Sequence, residues 1–375
     1  MSLLTSLLTA LWRIGFVFFL FFGASALVTA TATTIPVTNA AELHTALANA
    51  QPGQTIVLAD GLYQGEFVAA RSGTALAPIT IQGSPAAILA GETITENYVF
   101  HLNKANYWVL TGFTLRNAGK GIMLDKANNN VLEHLVIEQT GQEAVHFRRC
   151  SSSNLLHYST IRETGVITPG FGEGVYVGSD SDKWSEYSCD DDLRDKSHYN
   201  QIRNNHFGPN IRAEAIDVKE GTVGGVILNN TFDATGLQGL NYADSWIDVK
   251  GNRYKIGHNR GDQKGNPALQ HGFETHSKAG GWGRDNVFYA NALTMNGGGY
   301  GIHIDNAGEN PGNTVCVNNQ VTGARLGVTN IPLTGKPTNQ SRGAGRSSDT
   351  GLLQTFTFTA VQMVWLPLGN TAPCD

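Results

Sequence analysis

The 375-residue chain carries a net charge of −5 and only 15% charged residues, so it has no basic footprint for nucleic acid. Its 44 glycines and 31 asparagines argue against helical bundles and coiled coils, and the glycines follow no collagen-like period. With 41% hydrophobic residues the chain is not disordered, which leaves a turn-rich, all-β protein with ample material for a core.

Residues 1–32 read as a secretory signal peptide. Arg13 precedes an apolar run from Ile14 to Leu27, and Ala30-Thr31-Ala32 offers a small-residue cleavage site. A membrane anchor is the alternative, but the run is short for a span and no basic stop-transfer cluster follows. The expected product is a secreted monomer that leaves the membrane once the signal is cleaved. Four cysteines suit that compartment. The expected pairs are Cys150–Cys189, bracing a charged insertion, and Cys316–Cys374, tying down the C-terminal tail. Asn229-Asn230-Thr231 and Asn339-Gln340-Ser341 are sequons, meaningful only in a glycosylating host.

The mature region opens with a helix signal. Asn39 is the N-cap of a capping box closed by Glu42, and Leu43, Ala46, Leu47 and Ala50 share one face before Pro52-Gly53 ends the helix. Strands are expected at Thr55–Leu58, Glu66–Ala69, Ile79–Gln82 and Trp108–Leu115. One pattern then recurs, a small residue followed by in-out alternation, in segments beginning at Gly121, Ala144, Gly174, Ala215, Trp246, Gly272, Gly301 and Gly327. The spacings are 23, 30, 41, 31, 26, 29 and 26 residues. A second element repeats between them, as in Asn200-Gln-Ile-Arg-Asn-Asn-His-Phe and Val226-Ile-Leu-Asn-Asn-Thr-Phe, with asparagines able to stack into an amide ladder.

Such a period, with several short strands per repeat, describes a right-handed parallel β-helix (a solenoid) with an N-terminal capping helix that blocks edge pairing. The β-helix catalytic domain is expected over residues 33–333 and a C-terminal loop and tail over 334–375. The 41-residue spacing marks an insertion at about Ser179–His198, expected to wall a groove.

Equivalent outward residues of successive coils lie about 4.8 Å apart. One outward column runs Met123, His146, Tyr176, Asp217, Asp248, Glu274, His303. A second runs Asp125, Arg148, Gly178, Lys219, Lys250, His276, Asp305, and a line just before the small residues adds Glu143, Glu173 and Glu214. Asp217, Asp248 and Glu274 repel one another unless a cation sits among them. That cation is Ca²⁺, which takes hard oxygen ligands, or the adjoining Lys219, Lys250 and His276. A solvated face with cross-strand charge pairs is the plain alternative.

The strip suits β-elimination on a uronate-containing acidic polysaccharide of pectate, alginate or chondroitin type. The substrate carboxylate must be neutralised, a base must reach C5, and an acid or cation must assist the leaving oxygen. Lys219 is the candidate base, because a lysine among other cations has a lowered pKa. Lys250, with His276 or Arg148, supports the leaving group and the developing charge. Glu214, Asp217, Asp248 and Glu274 would hold Ca²⁺ or orient the lysines. Tyr176, His146, His303 and Trp184 are candidate substrate-binding residues, and Trp282 is a further stacking candidate. A glycoside hydrolase using Asp217, Asp248 or Glu274 is an alternative, though adjacent coils place the aspartates closer than the ~6.5–9.5 Å of inverting enzymes. A non-catalytic, glycan-binding surface β-helix is another.

Two stretches carry a family resemblance. Pro52-Gly-Gln-Thr-Ile-Val-Leu-Ala-Asp-Gly-Leu-Tyr with Pro78-Ile-Thr-Ile-Gln-Gly resembles the first coils of the chondroitinase B and alginate lyase group, polysaccharide lyase family six. Glu214-Ala-Ile-Asp-Val-Lys219 with Asn230-Thr-Phe232 resembles that family's motif of a calcium-binding Glu five residues before a catalytic Lys. The resemblance implies a right-handed parallel β-helix, a calcium ligand at Glu214 and the C5 base at Lys219. The chain departs from the family in carrying Lys250 for a catalytic Arg, and Arg212 for a second acidic calcium ligand, leaving Asp217 or Glu173 to take that place. It is also similar in style to family nine pectate lyases, which pair acidic calcium ligands with a Lys base.

Overall fold

The computed structural model describes residues 33–190, 192–305 and 311–335, together with Cys374. The signal-peptide segment, the second sequon and residues 336–373 of the tail lie outside the described residues. Among the described residues no helix is long and apolar enough to cross a membrane.

Three parallel sheets, of 12, 10 and 10 strands, stack coil on coil into a right-handed parallel β-helix. The first sheet runs from Thr34–Val37 to Leu333–Thr334, the second from Gly61–Gln64 to Gln320–Ala324, and the third from Phe67–Ala69 to Gly327–Thr329. Inward columns form a continuous core. In the third sheet Phe100, Ile122, Val145, Val175, Ile216, Ile247, Phe273 and Ile302 stand in register and are fully buried. Each such side chain contributes roughly 1.5–3 kcal/mol by leaving water.

The small residue before each third-sheet strand has a steric cause. A Cβ at Gly121 would run into the Ala144 carbonyl, and one at Gly174 into the Ala215 carbonyl. Trp246 breaks that pattern, and its ring fills the space over Gly261. Trp108–Leu115, expected as one strand, is two, Trp108–Thr111 and Thr114–Ala118, in different sheets. The corner between them is Gly112, at φ +90° and pressed on the Gly83 carbonyl.

The recurring Asn pairs divide their labour at the corner between the first and second sheets. Asn204 and Asn229 take left-handed φ near +55°, where a short polar side chain is tolerated. Their neighbours Asn205, Asn230, Asn259, Asn291 and Asn319 form a buried ladder, each amide donating to the next Oδ1 at 2.9–3.1 Å. A second ladder, Asn130–Asn154–Asn200, precedes the first sheet.

The helix forms as expected, at Ala40–Asn49 (α1), with Leu43, Ala46 and Leu47 buried. Asn39 Oδ1 accepts from Glu42 N at 3.0 Å, while Glu42 accepts from Thr38 N at 2.7 Å, one residue before the N-cap. His44 stacks on Phe67 at 4.9 Å, seating the helix over the first third-sheet strand. Both expected disulfides are present, with Cα–Cα distances of 5.8 Å for Cys150–Cys189 and 4.9 Å for Cys316–Cys374.

Asn259→Ala would remove the donor to the Ile227 carbonyl and the acceptor of the Asn230 amide groups, and so break both ladder links of Asn259, to Asn230 and to Asn291. The expected loss is about 2–4 kcal/mol in urea unfolding, since each buried orphan costs ~1–3 kcal/mol. A loss below about 0.5 kcal/mol would show that the ladder follows register without setting it.

Candidate active site

The outward columns read from the sequence are the registered pairs of the third sheet. Met123, His146, Tyr176, Asp217, Asp248, Glu274 and His303 stand opposite one another in successive coils. The second column follows in register, with Lys219 N bonded to Val177 O and Lys250 N to Val218 O. The glutamates of the third line lie at the strand starts, where Ala144 N bonds Glu173 O and Gly174 N bonds Glu214 O.

The lysines go to the aspartates. Lys219 Nζ is 2.5 Å from Asp217 Oδ2, and Lys250 bridges Asp217 Oδ1 at 3.0 Å and Asp248. His276 Nδ1 meets Asp248 Oδ1 at 2.8 Å. The lowering expected of Lys219 is not what its surroundings produce: burial works against its charge, but Asp217, Glu214 and Glu173 outweigh it and hold the ammonium above its usual range. Lys250 is held charged in the same way, by Asp217 and Asp248 against burial. Burial would raise Asp248, yet Lys250 and His276 hold its carboxylate well below the usual range. With Lys250 between them, Asp217 and Asp248 are an ion-paired unit and not a hydrolytic acid pair.

Glu214 and Asp217 are joined by Glu173, and the three carboxylates lie with oxygens within 4.8 Å of one another, all buried. Burial pushes both glutamates up from the ordinary range. Glu143 and Asp217 add to the shift at Glu173, and Asp217 adds to it at Glu214. Asp217 already meets Lys219 and Lys250, but among the described residues Glu173 and Glu214 lie in no such ion pair, and this buried set of hard oxygens fits a divalent cation such as Ca²⁺. Asp248 and Glu274 are engaged elsewhere. Glu274 Oε1 is 3.4 Å from both His271 Nε2 and His303 Nδ1. Tyr300 N donates to His271 Nδ1 at 3.0 Å, which leaves the ring proton on Nε2, facing the carboxylate. That trio is a close polar cluster, its histidines in ion-pair contact with Glu274, in which His271 has no ring lone pair to offer a metal.

Arg148 makes two bonds to Asp125, at 2.8 and 2.9 Å, and Asp125 outweighs burial in keeping the guanidinium above its usual range. It therefore supplies charge and not a transferable proton. His146 lies between Glu143 Oε1 at 2.8 Å and the Gly178 carbonyl at 2.9 Å, edge-on to Tyr176. Lys219 Nζ sits 4.8 Å from the centroid of the Tyr176 ring. Burial, then Asp217 and Glu173, push the Tyr176 phenol well up, so it keeps its proton.

The insertion runs beside this strip on several tethers. Asp195, fully buried, accepts from Arg149 N, Cys150 N, Ser179 Oγ and Ser197 Oγ. Lys278 reaches Asp180 at 2.5 Å and Asp182 at 2.9 Å. Trp184 is not among the residues lining the groove by Tyr176; its indole donates to Ser179 O at 3.1 Å and its ring packs by Gly221. Tyr187 lines the groove in its place, under the Arg148 guanidinium at 4.2 Å. Phe171, from the corner loop before Glu173, lines it too. Neither residue belongs to the repeat, so periodicity had no hold on them.

No family model and no curated protein matches the chain. A solved structure does, the alginate lyase from Paenibacillus sp. str. FPU-7, at 39% identity and TM-score 0.74, covering 79% of this chain and 98% of that one. The chain belongs to the parallel β-helix polysaccharide lyases. Two remoter likenesses are the family-six polysaccharide lyase Pedsa3628 from Pseudopedobacter saltans and the pectate lyase Pel9A. The first is 19% identical with TM-score 0.46, covering 72% of this chain and 65% of that one. The second is 13% identical with TM-score 0.44, covering 80% of each chain. At that distance neither bears on the site of this lyase.

In the lyase, Asp248 raises His276 to about 9 from 6.5. The folded state thus holds this proton more tightly than the unfolded chain does. The resulting stability is complete below about pH 6.5 and is lost as pH rises through about 9. His276→Gln is expected to flatten the fall of unfolding free energy between those limits, measured by denaturant titration at a series of pH values. An unchanged slope would mean the pair carries no linkage.

Proposed function

We propose that this lyase cleaves alginate by β-elimination with Lys219 as the C5 base. The observation that carries the reading is the position of Lys219 Nζ, between Asp217 and the Tyr176 ring and beside the acidic group of Glu173 and Glu214. Alginate is inferred from the 39% identity to an alginate lyase along nearly that whole chain.

In the reaction the Lys219 amine takes the C5 proton, the C4–O bond breaks, and its electrons leave with the glycosidic oxygen as C4=C5 forms. The Tyr176 hydroxyl supplies the proton to that oxygen, because it is the neutral acid beside Lys219 and keeps its proton in this setting. Lys250 and His276, both held cationic, and Arg148 offset the negative charge of the polymer without moving protons. Glu173, Glu214 and Asp217 would hold Ca²⁺, which when bound supplies positive charge against the substrate carboxylate and against the acids that keep Lys219 protonated. The apolar run Ile14–Leu27 and the two disulfides support export to an oxidising compartment.

The test is unsaturated product, followed by absorbance near 235 nm, on alginate, pectate and chondroitin sulfate. Lys219→Ala is expected to lose roughly 10²–10⁴-fold in kcat, and Tyr176→Phe a comparable factor. Since Lys219 is held charged, kcat/KM of the wild type rises from neutral toward alkaline pH. Full activity in Lys219→Ala would overturn the base assignment, and reducing ends without absorbance would overturn elimination itself.

Chelation tests the cation separately. EDTA is expected to abolish product formation and added Ca²⁺ to restore it, while Glu214→Gln raises the Ca²⁺ needed. Undiminished turnover in EDTA would leave the three carboxylates without a metal role.

A further inference from the structure

Next to Tyr176, on the side of the coils that precede Lys219, the strip opens into a pocket of about 210 Å³. That is below the ~300–1,000 Å³ of drug-sized sites and suits one sugar ring. Its walls come from outside the repeat. Phe171, half exposed at 52%, stands on the corner loop between the second and third sheets. Asn241 Nδ2 donates to Gly170 O at 3.1 Å, fastening that loop to the next coil's corner loop. The second aromatic of the lining is Tyr187, held on the Arg148 guanidinium at 4.2 Å by an insertion anchored through Cys150–Cys189.

Several of the polar lining residues are already paired, while Glu173 belongs to the acidic group described above. Glu143 is taken by Lys120 at 2.5 Å and by His146 at 2.8 Å, and Asp180 by Lys278. Arg148 spends two of its five donors on Asp125. Lys183 is 60% exposed, with its nearest carboxylate, Glu186, at a loose 3.5 Å. The pocket thus combines two aromatic walls, which suit the C–H faces of a sugar ring, with an exposed ammonium held only by the long Glu186 contact, which suits a carboxylate on that ring.

We infer that this pocket is a subsite for the uronate unit next to the one that loses its proton, with Phe171 and Tyr187 flanking the ring and Lys183 receiving its carboxylate. The inference rests on the uronate reading proposed above. It makes Phe171 and Lys183 binding residues that act on substrate affinity and not on the chemical step.

Two measurements keep the inference apart from that reading. In steady-state assays on alginate, Phe171→Ala and Lys183→Ala are each expected to raise KM about three- to tenfold with kcat within about twofold. In the Lys219→Ala background, calorimetric titration with a tetrameric oligouronate is expected to show the same loss of affinity on adding either substitution. The titration needs no turnover, so it stands even if the wild type forms no unsaturated product, an outcome that would sink only the lyase chemistry proposed. Unchanged KM and unchanged affinity in both variants would overturn the subsite. A fall in kcat with unchanged KM would overturn it as well, by moving these residues into the chemical step.

Discussion

Coil register is the constraint on which the rest of this molecule depends. A parallel stack keeps its register if one corner of every coil turns alike, and here the short corner between the first and second sheets does so, tied from coil to coil by the buried amide bonds of the Asn205–Asn319 ladder. A slip by one residue would strand those amides and turn every outward side chain of the third sheet into the core. The left-handed asparagines beside the ladder, and the glycines pressed on the neighbouring coil's carbonyls, serve the same end by sterics.

Register converts a one-dimensional pattern into a charged surface. Residues far apart in the chain come within about 4.8 Å, a spacing at which ionised side chains cannot ignore one another. The strip resolves this repulsion by two means. Lys219, Lys250 and His276 interleave with Asp217 and Asp248 as ion pairs, while Glu173 and Glu214, beside Asp217, are left under-neutralised. A polyuronate brings more negative charge to the same place, so the cations and the acidic group are parts of one electrostatic arrangement. Walls around the strip have a separate origin, because the insertion and corner loops are free to vary where the coils are not.

Much of the fold was legible because a solenoid repeats local rules. The capping helix, the small residue before each third-sheet strand and the outward columns all follow from period-two alternation and coil spacing, and both disulfides paired as expected. The Trp108–Leu115 stretch was misread as one strand because Gly112 turns a corner between two short β-forming segments, Trp108–Thr111 and Thr114–Ala118. At the site, the columns predicted which residues share a face but not how they pair. Glu274 sits with His271 and His303, a partnership decided by ring orientation and by the Tyr300 amide. Trp184 looked like the aromatic of the insertion, yet Gly221 leaves room for its ring to pack down, and Tyr187 faces the groove.

The sequence by itself determined the coil, its register and the strip of ionisable residues, because each of these depends on residue spacing and on alternation along the chain. Only the tertiary structure decided which carboxylates are neutralised by lysine and which gather as a cation-sized group. It also decided which aromatic rings wall the groove. Those outcomes depend on side-chain reach between coils and on how irregular loops pack, and neither leaves a period in the sequence.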